Sequence, residues 1–594
     1  MTRLEFLARG RFKDLSAAEI KLFDSASVGE HAVCGSSDNL NAPSNQPSEA
    51  EKWDASRSIR GEIISWVCTD REAKQLVAPG GVQIFGARII GEVKLLSAQI
   101  DFPLVFACCE LGDINLQSSN SRILSFMQTY LQSIYADGAV IAGAFLLRYC
   151  RAALLQFLGA RIEGQFDCDC SSFSGLLLDG AAINTGVLLR RAEGQVKMSR
   201  ARIGGDLDCS GASFKTANGS PDPALEASGV KVDGSVFLRH GFGAVGSVRL
   251  LGAHIGSNLE CTRGEFTPGV RTDDKTRPAL LADSVVVQGT VILGEKFRAH
   301  GDVSFISCQV VGDFNCDHSE FDSGLAIERA DIGGTFFWRS VTLTNAARLD
   351  LLNTSVGSLG DDSASWPARG NLQIHGFEYK QISVASPKDA KSRLDWLGRQ
   401  DSYSRQPYRQ LASVMKDYGN EKDSREVLYR MECLSEAQEN PSAVDSVWNW
   451  ALKYVVGYGY YPFRALWWFL GLVLVGFLLF RAGFYAGSVV PSEKDAYTRF
   501  TQERTLPGHY ERFHAFIYSV ENSFPLLKLG QEDLWQPDPA VGSVRGRCHS
   551  RRERAFHKLV APNSLRWFRW GQILAGWILA TMWIAGLAGL VRRD

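Results

Sequence analysis

The chain has 594 residues, a formal net charge of −1, 22% charged residues and 45% apolar residues. The near-zero charge excludes a broadly basic nucleic-acid-binding protein, and the apolar content excludes a disordered chain. The 57 Gly follow no Gly-x-y period, which excludes collagen, and the 13 Cys contain no Cys-x-x-Cys motif, which favours a reducing compartment over a secreted disulfide framework.

Residues 1–80 predict a helical and linker region that caps a repeat domain. The first twelve residues lack the apolar stretch of a secretory signal, and residues 35–50 are polar, as in a linker. Ser58–Val77 then has helical spacing of apolar side chains, as at Ile59, Ile63 and Val67. Because the open edge of a repeat domain must be covered, we expect this helix to protect the first coil.

A short pattern recurs along residues 81–384. Ala87–Leu95 aligns with Ala160–Cys168 and Ala201–Cys209, and the shared core is Gly-x-φ-x-φ, where φ is apolar. The alternation is typical of a strand, and the Gly before it supplies a turn or lets two backbones approach closely. A strand this short buries its apolar face only when coils stack, so two such units predict a β-solenoid with a coil of roughly 21 residues.

Within one unit the apolar side chains recur about every five positions, at Ile203, Leu207 and Ala212. This spacing resembles that of pentapeptide-repeat proteins. The resemblance implies a mainly β chain folded as a right-handed, four-sided β-solenoid. It also implies a scaffold or binding surface, because the motif itself contains no catalytic group.

Four cysteines, Cys168, Cys209, Cys261 and Cys316, share one position of the repeat. We expect a column of small buried side chains, too far apart along the solenoid axis for disulfides. Neither Cys168-x-Cys170 nor Cys316-x-His318 supplies the four ligands of a tetrahedral metal site. The chain has no Gly-x-Gly-x-x-Gly after a strand, no Walker A loop and no His-Glu-x-x-His, so no cofactor or metal is predicted.

Residues 385–445 predict a helical adaptor. Over Lys388–Ala437 the apolar side chains recur at steps of three and four residues, and Gly419 with Asn420 predicts a turn between two helices. Gln406–Ala412 looks like the first helix of a tetratricopeptide-type hairpin. One hairpin is too short to form a peptide-binding array, so we interpret it as a connection to the region that follows.

Residues 446–594 predict a membrane domain with spans at about 465–486 and 570–591 and a loop at 487–569. Trp570–Val591 is uncharged and long enough to cross a hydrocarbon core of about 30 Å. The first stretch is uncharged over Ala465–Phe480 and continues past Arg481, which can extend to the headgroups. We expect a multi-pass protein of a bacterial inner membrane with a cytosolic solenoid, although the basic loop opposes the positive-inside tendency and leaves orientation open.

The segment Phe513–Asp533 lies between the two spans and has an aromatic helix-like part, a Pro break and a Gly. This arrangement is similar to that of two-span pore-loop ion channels, but Pro525–Gly530 is not a Thr-Val-Gly-Tyr-Gly filter, and a Lys there repels cations. The alternative is an interfacial hairpin that supports the spans. The candidate pore or re-entrant residues are Phe516, Ser519, Asn522, Pro525, Lys528 and Gly530.

Two other stretches of interest lie near the spans. Val456–Gly459 mimics a filter signature, but it precedes both spans and is interpreted as a juxtamembrane turn. A basic cluster in the loop could contact anionic lipid headgroups, and a solvated loop is the alternative. Its predicted contacts are Arg545, Arg547, Arg551 and Arg552.

Taken together, the chain resembles a group of bacterial membrane proteins often labelled membrane-associated oxidoreductases. The resemblance rests on the motifs at Ser58–Ile64, Gln406–Ala412 and Leu529–Trp535 and on the Gly-Ala-Arg-Ile repeats. No flavin, nicotinamide or haem motif supports the oxidoreductase label, and a non-enzymatic role is favoured. We expect a membrane-anchored scaffold or sensor with an unidentified protein partner and no nucleic acid. A gated, homo-oligomeric channel is the second hypothesis.

Overall fold

The computed structural model describes residues 1–216, 220, 222–268, 278–438, 442–524, 526–538 and 559–589. The chain forms two compact units, residues 1–414 and 415–594. The described residues of the first unit include the 3-10 turns Pro43–Asn45, Pro47–Lys52 and Ala55–Arg57. The α-helices that begin in it are α1 Arg3–Arg11, α2 Ala17–Val28, α3 Gly61–Thr69, α4 Arg71–Gln75, α5 Ala390–Leu397 and α6 Arg405–Asp417.

The strands of the first unit form two sheets of parallel strands. The first sheet contains β1 His31–Val33, β3 Val82–Phe85, β6 Gln99–Ile100, β7 Leu104–Ala107, β10 Asn120–Ser121, β11 Leu124–Met127, β13 Val140–Ile141, β14 Phe145–Arg148, β16 Arg161–Ile162, β17 Phe166–Asp167, β19 Ala182–Ile183, β20 Val187–Leu188, β23 Arg202–Ile203, β24 Leu207–Asp208, β27 Lys231–Val232, β28 Val236–Phe237, β31 His254–Ile255, β32 Leu259–Glu260, β35 Val286–Val287, β36 Val291–Ile292, β39 Gln309–Val310, β40 Phe314–Asn315, β43 Asp331–Trp338, β46 Ser355–Asp361 and β48 Glu378–Ile382.

The second sheet alternates with the first along the chain. It contains β2 Ser58–Arg60, β4 Arg88–Ile90, β5 Val93–Lys94, β8 Glu110–Leu111, β9 Ile114–Asn115, β12 Tyr130–Tyr135, β15 Arg151–Gln156, β18 Ser172–Leu177, β21 Glu193–Gly194, β22 Val196–Lys197, β25 Ser213–Lys215, β26 Leu225–Glu226, β29 Gly243–Val245, β30 Val248–Arg249, β33 Glu265–Thr267, β34 Pro278–Leu281, β37 Arg298–Ala299, β38 Asp302–Ser304, β41 Glu320–Phe321, β42 Gly324–Ala326, β44 Thr342–Leu343, β45 Arg348–Asp350 and β47 Leu372–Gln373.

These strands stack as a parallel β-solenoid of about 13 turns. Arg161 pairs with Ala182 of the next coil, and Ala182 pairs in turn with Arg202 of the coil after that. The predicted solenoid and its coil length of roughly 21 residues are therefore confirmed. The step from Arg202 to its partner Lys231 is longer than the two before it, so that coil contains an insertion.

The core of the solenoid is a stack of side chains from successive coils. Phe106, Phe126, Phe145 and Phe166 lie above one another, with ring centroids 5.3, 6.1 and 4.9 Å apart. Aromatic pairs at such distances add to the free energy gained from burial. The predicted burial of the repeat cysteines is confirmed, since all four are fully buried: Cys168, Cys209, Cys261 and Cys316. The prediction that they form a column of small side chains is wrong, because the coils between them place Leu189, Leu238 and Leu293 at the same position.

The glycine of the repeat permits close contact between coils. A Cβ atom added at Gly164 would lie 2.7 Å from the carbonyl carbon of Gly143, and one added at Gly312 would lie 2.7 Å from the carbonyl oxygen of Gly289. Neighbouring backbones can approach this far only where the side chain is a hydrogen atom. The close-approach role predicted for this position is therefore confirmed at these coils.

One corner of the coil has a backbone conformation that the repeat pattern does not reveal. Cys108, Gln128, Tyr149, Cys170 and Arg191 follow one another at this corner of successive coils, and all have φ between 46° and 55°. This left-handed region costs a residue with a Cβ atom roughly 1–2 kcal/mol. The stacked coils on either side hold these residues in a turn that Gly would adopt without strain.

The N-terminal end of the solenoid is built from both helices and strands. β1 pairs with β3, and β2 pairs with β4, so residues 31–33 and 58–60 continue the two sheets. The helix predicted from Ser58 is therefore wrong over its first three residues and begins at Gly61. Glu19 ties α2 to this edge, because its carboxylate accepts hydrogen bonds from the Arg60 guanidinium at 2.8 Å and from the Ser16 amide at 2.9 Å. Burial raises the pKa of Glu19, but these hydrogen bonds outweigh it and hold that pKa below its ordinary value.

The C-terminal end of the solenoid is closed by α5 through a buried ion pair. Both guanidinium NH2 groups of Arg393 lie 2.7 Å from the carboxylate oxygens of Asp361, and both side chains are almost completely buried. The Trp366 indole N–H donates to the same carboxylate at 2.8 Å. The Arg393 guanidinium also lies over the Trp396 ring. A buried charge needs such partners, so this arrangement depends on all of its members.

The second unit is helical. Its one pair of described strands, β49 Val489–Pro491 and β50 Trp535–Pro537, is antiparallel. A π-helical turn at Leu452–Val456 and a 3-10 turn at Gly457–Gly459 occupy the predicted juxtamembrane turn. The helices are α7 Glu421–Gln438, α8 Ala443–Ala451, α9 Arg464–Tyr485, α10 Lys494–Glu503, α11 Ala515–Ser523, α12 Gln531–Leu534 and α13 Pro562–Leu587.

Two of these helices, α9 and α13, are long and apolar enough to cross a membrane. They coincide with the two predicted spans. The second helix begins at Pro562, ahead of the predicted start at Trp570, because Pro is well suited to the first turn of a helix. This extension includes Arg566 and Arg569, which the sequence placed outside the span.

Candidate functional site

The short helix α11 is inserted between α9 and α13 and forms the candidate site. Among the described residues, four aromatic pairs join residues 513–524 to α9. They are Phe513 with Phe484, Phe516 with Phe477, Tyr518 with Phe480, and Phe524 with Phe469, at ring-centroid distances of 5.0, 6.1, 4.8 and 4.3 Å. The segment therefore runs antiparallel to α9. Its partners on α9 run from Phe469 to Phe484, so at a rise of about 1.5 Å per residue the segment extends about 22 Å along that helix.

Two glycines allow α11 to pack this closely. A Cβ atom at Gly476 of α9 would overlap the Ser519 hydroxyl, and one at Gly576 of α13 would overlap the Ser523 carbonyl group. By contrast, Gly571 of α13 has no neighbouring atom within 4 Å of such a position. Gly476 and Gly576 thus define the seat of α11, and Gly571 does not take part in it.

A buried polar cluster joins α11 to both long helices. The Gln572 amide nitrogen of α13 donates to the hydroxyl oxygens of Ser519 at 2.9 Å and Ser523 at 2.7 Å. The Ser519 hydroxyl donates to the Val473 carbonyl oxygen of α9 at 2.8 Å. Among the described residues, the Gln572 carbonyl oxygen and the Tyr518 hydroxyl are buried without a hydrogen-bond partner. Burying polar groups without hydrogen-bond partners costs folding free energy, so the presence of these two groups between apolar helices makes the cluster a candidate functional site.

Arg569 extends this cluster towards the start of α13. Its guanidinium donates to the Asn522 side-chain oxygen at 3.0 Å and to the Glu532 carboxylate at 2.9 Å. It also lies 5.5 Å from the centre of the Tyr518 ring. These contacts fix α11 and α12 to the same end of α13.

After α11 the chain turns back in a segment that we call the return limb, residues 526–530. The Glu521 carboxylate is buried and accepts hydrogen bonds from the backbone amides of Leu529 at 2.9 Å, Gly530 at 3.0 Å and Glu532 at 2.8 Å. Gly530 has φ of +86°, a conformation in which a Cβ atom is strained. One carboxylate thus holds the end of the return limb and the start of α12 against α11.

The candidate residues proposed from sequence do not form one surface. Ser519 and Asn522 are buried and face α9 and α13, whereas Phe516 and Lys528 are exposed. Gly530 lies where the return limb meets α12. The other five candidates, Pro525, Arg545, Arg547, Arg551 and Arg552, lie outside the described residues.

Sequence reasoning missed three of the residues that hold the site together, Glu521, Arg569 and Gln572. Gln572 carried a signal, because it is a single amide side chain in an apolar span. Glu521 had none, since a carboxylate next to a predicted pore helix is ordinarily assigned to solvent. Its partners are backbone amides further along the chain, which only the fold brings near.

The solenoid presents no comparable constellation among its described residues. A cavity of about 890 Å³ at its N-terminal end has basic and acidic side chains in nearly equal number, so it selects no ligand charge. Within the described ranges, no group of three or more His, Cys, Asp or Glu side chains could hold a metal ion. Burial raises the pKa of the Cys109 and Cys150 thiols to about 12, which leaves them protonated and unreactive.

Comparison with known proteins adds no identification. No protein-family model, curated protein or solved structure matches this chain significantly. The likeness to repeat proteins therefore rests on the parallel β-solenoid itself, which is compatible with a repeat-like architecture.

Proposed function

We propose that this chain is an inner-membrane protein of bacteria in which a cytosolic solenoid controls an oligomeric pore. The observation that carries the proposal is the insertion of α11 between α9 and α13, with residues 513–524 following α9 over about 22 Å and the return limb turning back after them. If α9 and α13 span a bilayer, this segment enters the hydrocarbon core and leaves it on the same side. Such a re-entrant segment between two spans is typical of pore domains.

The exposed return limb supports an oligomer. Its side chains at Leu526, Leu527 and Leu529 are 75%, 44% and 51% exposed, and its backbone is not helical. Non-helical backbone at membrane depth is tolerated only when it is buried in protein or lines a water-filled cavity. We therefore expect further copies of the chain to surround the limb about a rotational axis.

The solenoid supplies the sensing part of this proposal. Its stacked coils offer a long surface of alternating exposed side chains, and the repeat fold commonly serves recognition. The partner is a protein that we do not identify. The oxidoreductase label carries no residue-level support and is not proposed.

Liposome reconstitution of the full-length chain tests the pore. We expect ion flux from an oligomer of defined mass, loss of flux in Gly576→Ala, where the added methyl group overlaps α11, and normal flux in Gly571→Ala, which has free space. A monomer without flux would overturn the proposal. Equal flux in the two variants would show that the seat of α11 is not part of the pore.

One observation favours a second candidate, a membrane-anchored scaffold without a pore. The polar side chains of α11, such as Ser519 and Asn522, face into the protomer and are already hydrogen-bonded. They need no aqueous channel. In that case the protein resists alkaline extraction from membranes, conducts no ions, and uses α11 only to brace its two spans.

A further inference from the structure

We infer that the pore conducts small inorganic anions and that Lys528 selects them. The inference rests on the proposed function. It starts from the ionisable side chains of the segment Phe513–Asp533, which include His514, Glu521, Lys528, Glu532 and Asp533. Lys528 is the one lysine of this segment, which contains no arginine.

The carboxylate of Glu521 is unavailable to a permeating ion. It is 4% exposed and accepts hydrogen bonds from three backbone amides, at 2.8 to 3.0 Å. The neighbouring carboxylate of Glu532 is paired with Arg569 at 2.9 Å. Neither acidic group can therefore form the ring of carboxylates that cation-selective pores use.

Lys528 is the opposite case. Its side chain is exposed on the return limb, between the exposed Leu527 and Leu529, and it makes no ion pair with any described residue. An unpaired ammonium group at membrane depth is stable only where water or an anion reaches it. In a rotationally symmetric oligomer, the lysines of all copies form one ring around the axis.

The backbone of α11 opposes this charge but is weaker. The C-terminal end of a helix carries about half a negative elementary charge, and α11 ends at Ser523 beside the return limb. Each copy thus contributes about −0.5 from the helix end and about +1 from Lys528. At the return limb, residues 526–530, these two charges sum to about +0.5 per copy, which attracts anions there, whereas the exposed Asp533 lies outside the limb, on α12.

Reversal potentials across planar bilayers test this inference on the full-length chain. Under a KCl gradient we expect the reversal potential to have the sign that chloride selectivity gives. In Lys528→Gln the reversal potential should shift towards zero, and in Lys528→Glu it should take the opposite sign. Lys494→Gln removes an exposed lysine of α10 outside the segment and should leave the potential unchanged.

The outcomes separate the two proposals. A conducting protein that is selective for potassium, or whose reversal potential is the same in Lys528→Glu, would overturn the inference and leave the pore standing. A protein that conducts nothing would overturn both. Because Lys528 is exposed, its variants should fold, and an unchanged oligomer mass on a sizing column would verify this.

Discussion

The Glu521 carboxylate is predicted to hold the return limb in place, and replacing it with an amide tests this. Glu521→Gln preserves the size of the side chain but leaves one acceptor atom instead of two. One oxygen accepts from the amides of Leu529 and Gly530, and the other accepts from Glu532. The Gln side chain can satisfy the first pair only by pointing its own NH2 group at the Glu532 amide.

The magnitude follows from the loss of that one bond. A hydrogen bond to a charged group contributes about 1.5–3 kcal/mol. Local opening at the Glu532 amide should become more favourable by this amount, which corresponds to roughly 10- to 150-fold faster hydrogen exchange. The amides of Leu529 and Gly530 should lose less protection, because they retain an uncharged acceptor.

The prediction is tested by hydrogen exchange of the detergent-solubilised full chain. Mass spectrometry on peptides covering residues 526–538 measures the protection of these amides. The matched control is Glu503→Gln in α10, whose carboxylate is exposed and accepts only a 3.3 Å hydrogen bond from Thr505. Protection in the control should equal that of the unmodified chain. Unchanged protection at Glu532 in Glu521→Gln would refute the assignment of this carboxylate as the anchor of the limb.

Three further predictions concern the solenoid. Arg393→Met leaves the buried Asp361 carboxylate without its partner and should destabilise the α5 end of the solenoid by about 3–5 kcal/mol, as measured by hydrogen exchange. The control Arg369→Met removes an exposed ion pair with Asp395 and should cost at most about 1 kcal/mol. Equal losses in the two variants would contradict the importance of the buried pair. Gly312→Ala places a methyl group 2.7 Å from a backbone oxygen of the adjacent coil and should lower the melting temperature of the chain. The control is Gly243→Ala, where the added methyl group has free space, and its melting temperature should be unchanged. Burial, with a smaller contribution from a neighbouring carboxylate, raises the pKa of Asp350 to about 6. The folded state therefore binds the proton more tightly than the unfolded chain, and stability falls as pH rises from about 4 to 6. Asp350→Asn should remove that fall and raise the melting temperature at pH 7, and an unchanged pH profile of thermal melts would contradict this.

Within the second unit, residues 415–594, the sequence predicted the helices better than their contacts. The helices α9 and α13 could be predicted because each contains a long apolar stretch of the length that crossing a hydrocarbon core would require. The orientation of α11 was not visible. Ser519 and Asn522 were candidates for a pore lining, yet both face α9 and α13. Glycines on those two helices allow α11 to approach closely, and Gln572 of α13 supplies a hydrogen-bond donor to its polar side.

Within the solenoid, the repeat itself was determined by sequence alone. The sequence shows alternating apolar side chains and a Gly that recurs at regular steps. Strands this short can bury their apolar side chains only by stacking in successive coils, so the spacing of the pattern predicted the coil length. The left-handed corner at Cys108, Gln128 and Tyr149 did not follow. Those residue types rarely adopt positive φ by themselves, and only the coils above and below impose it.

The closing elements depended most on tertiary structure. Asp361 and Arg393 are 32 positions apart, and nothing local distinguishes them from the many surface charges of the chain. Glu521 likewise meets its backbone partners only after the chain has reversed. A local sequence pattern can reveal which side chains are buried, because burial recurs with a fixed period along a strand or helix. A single polar contact between distant residues has no period, and it arises only when folding brings the two groups together.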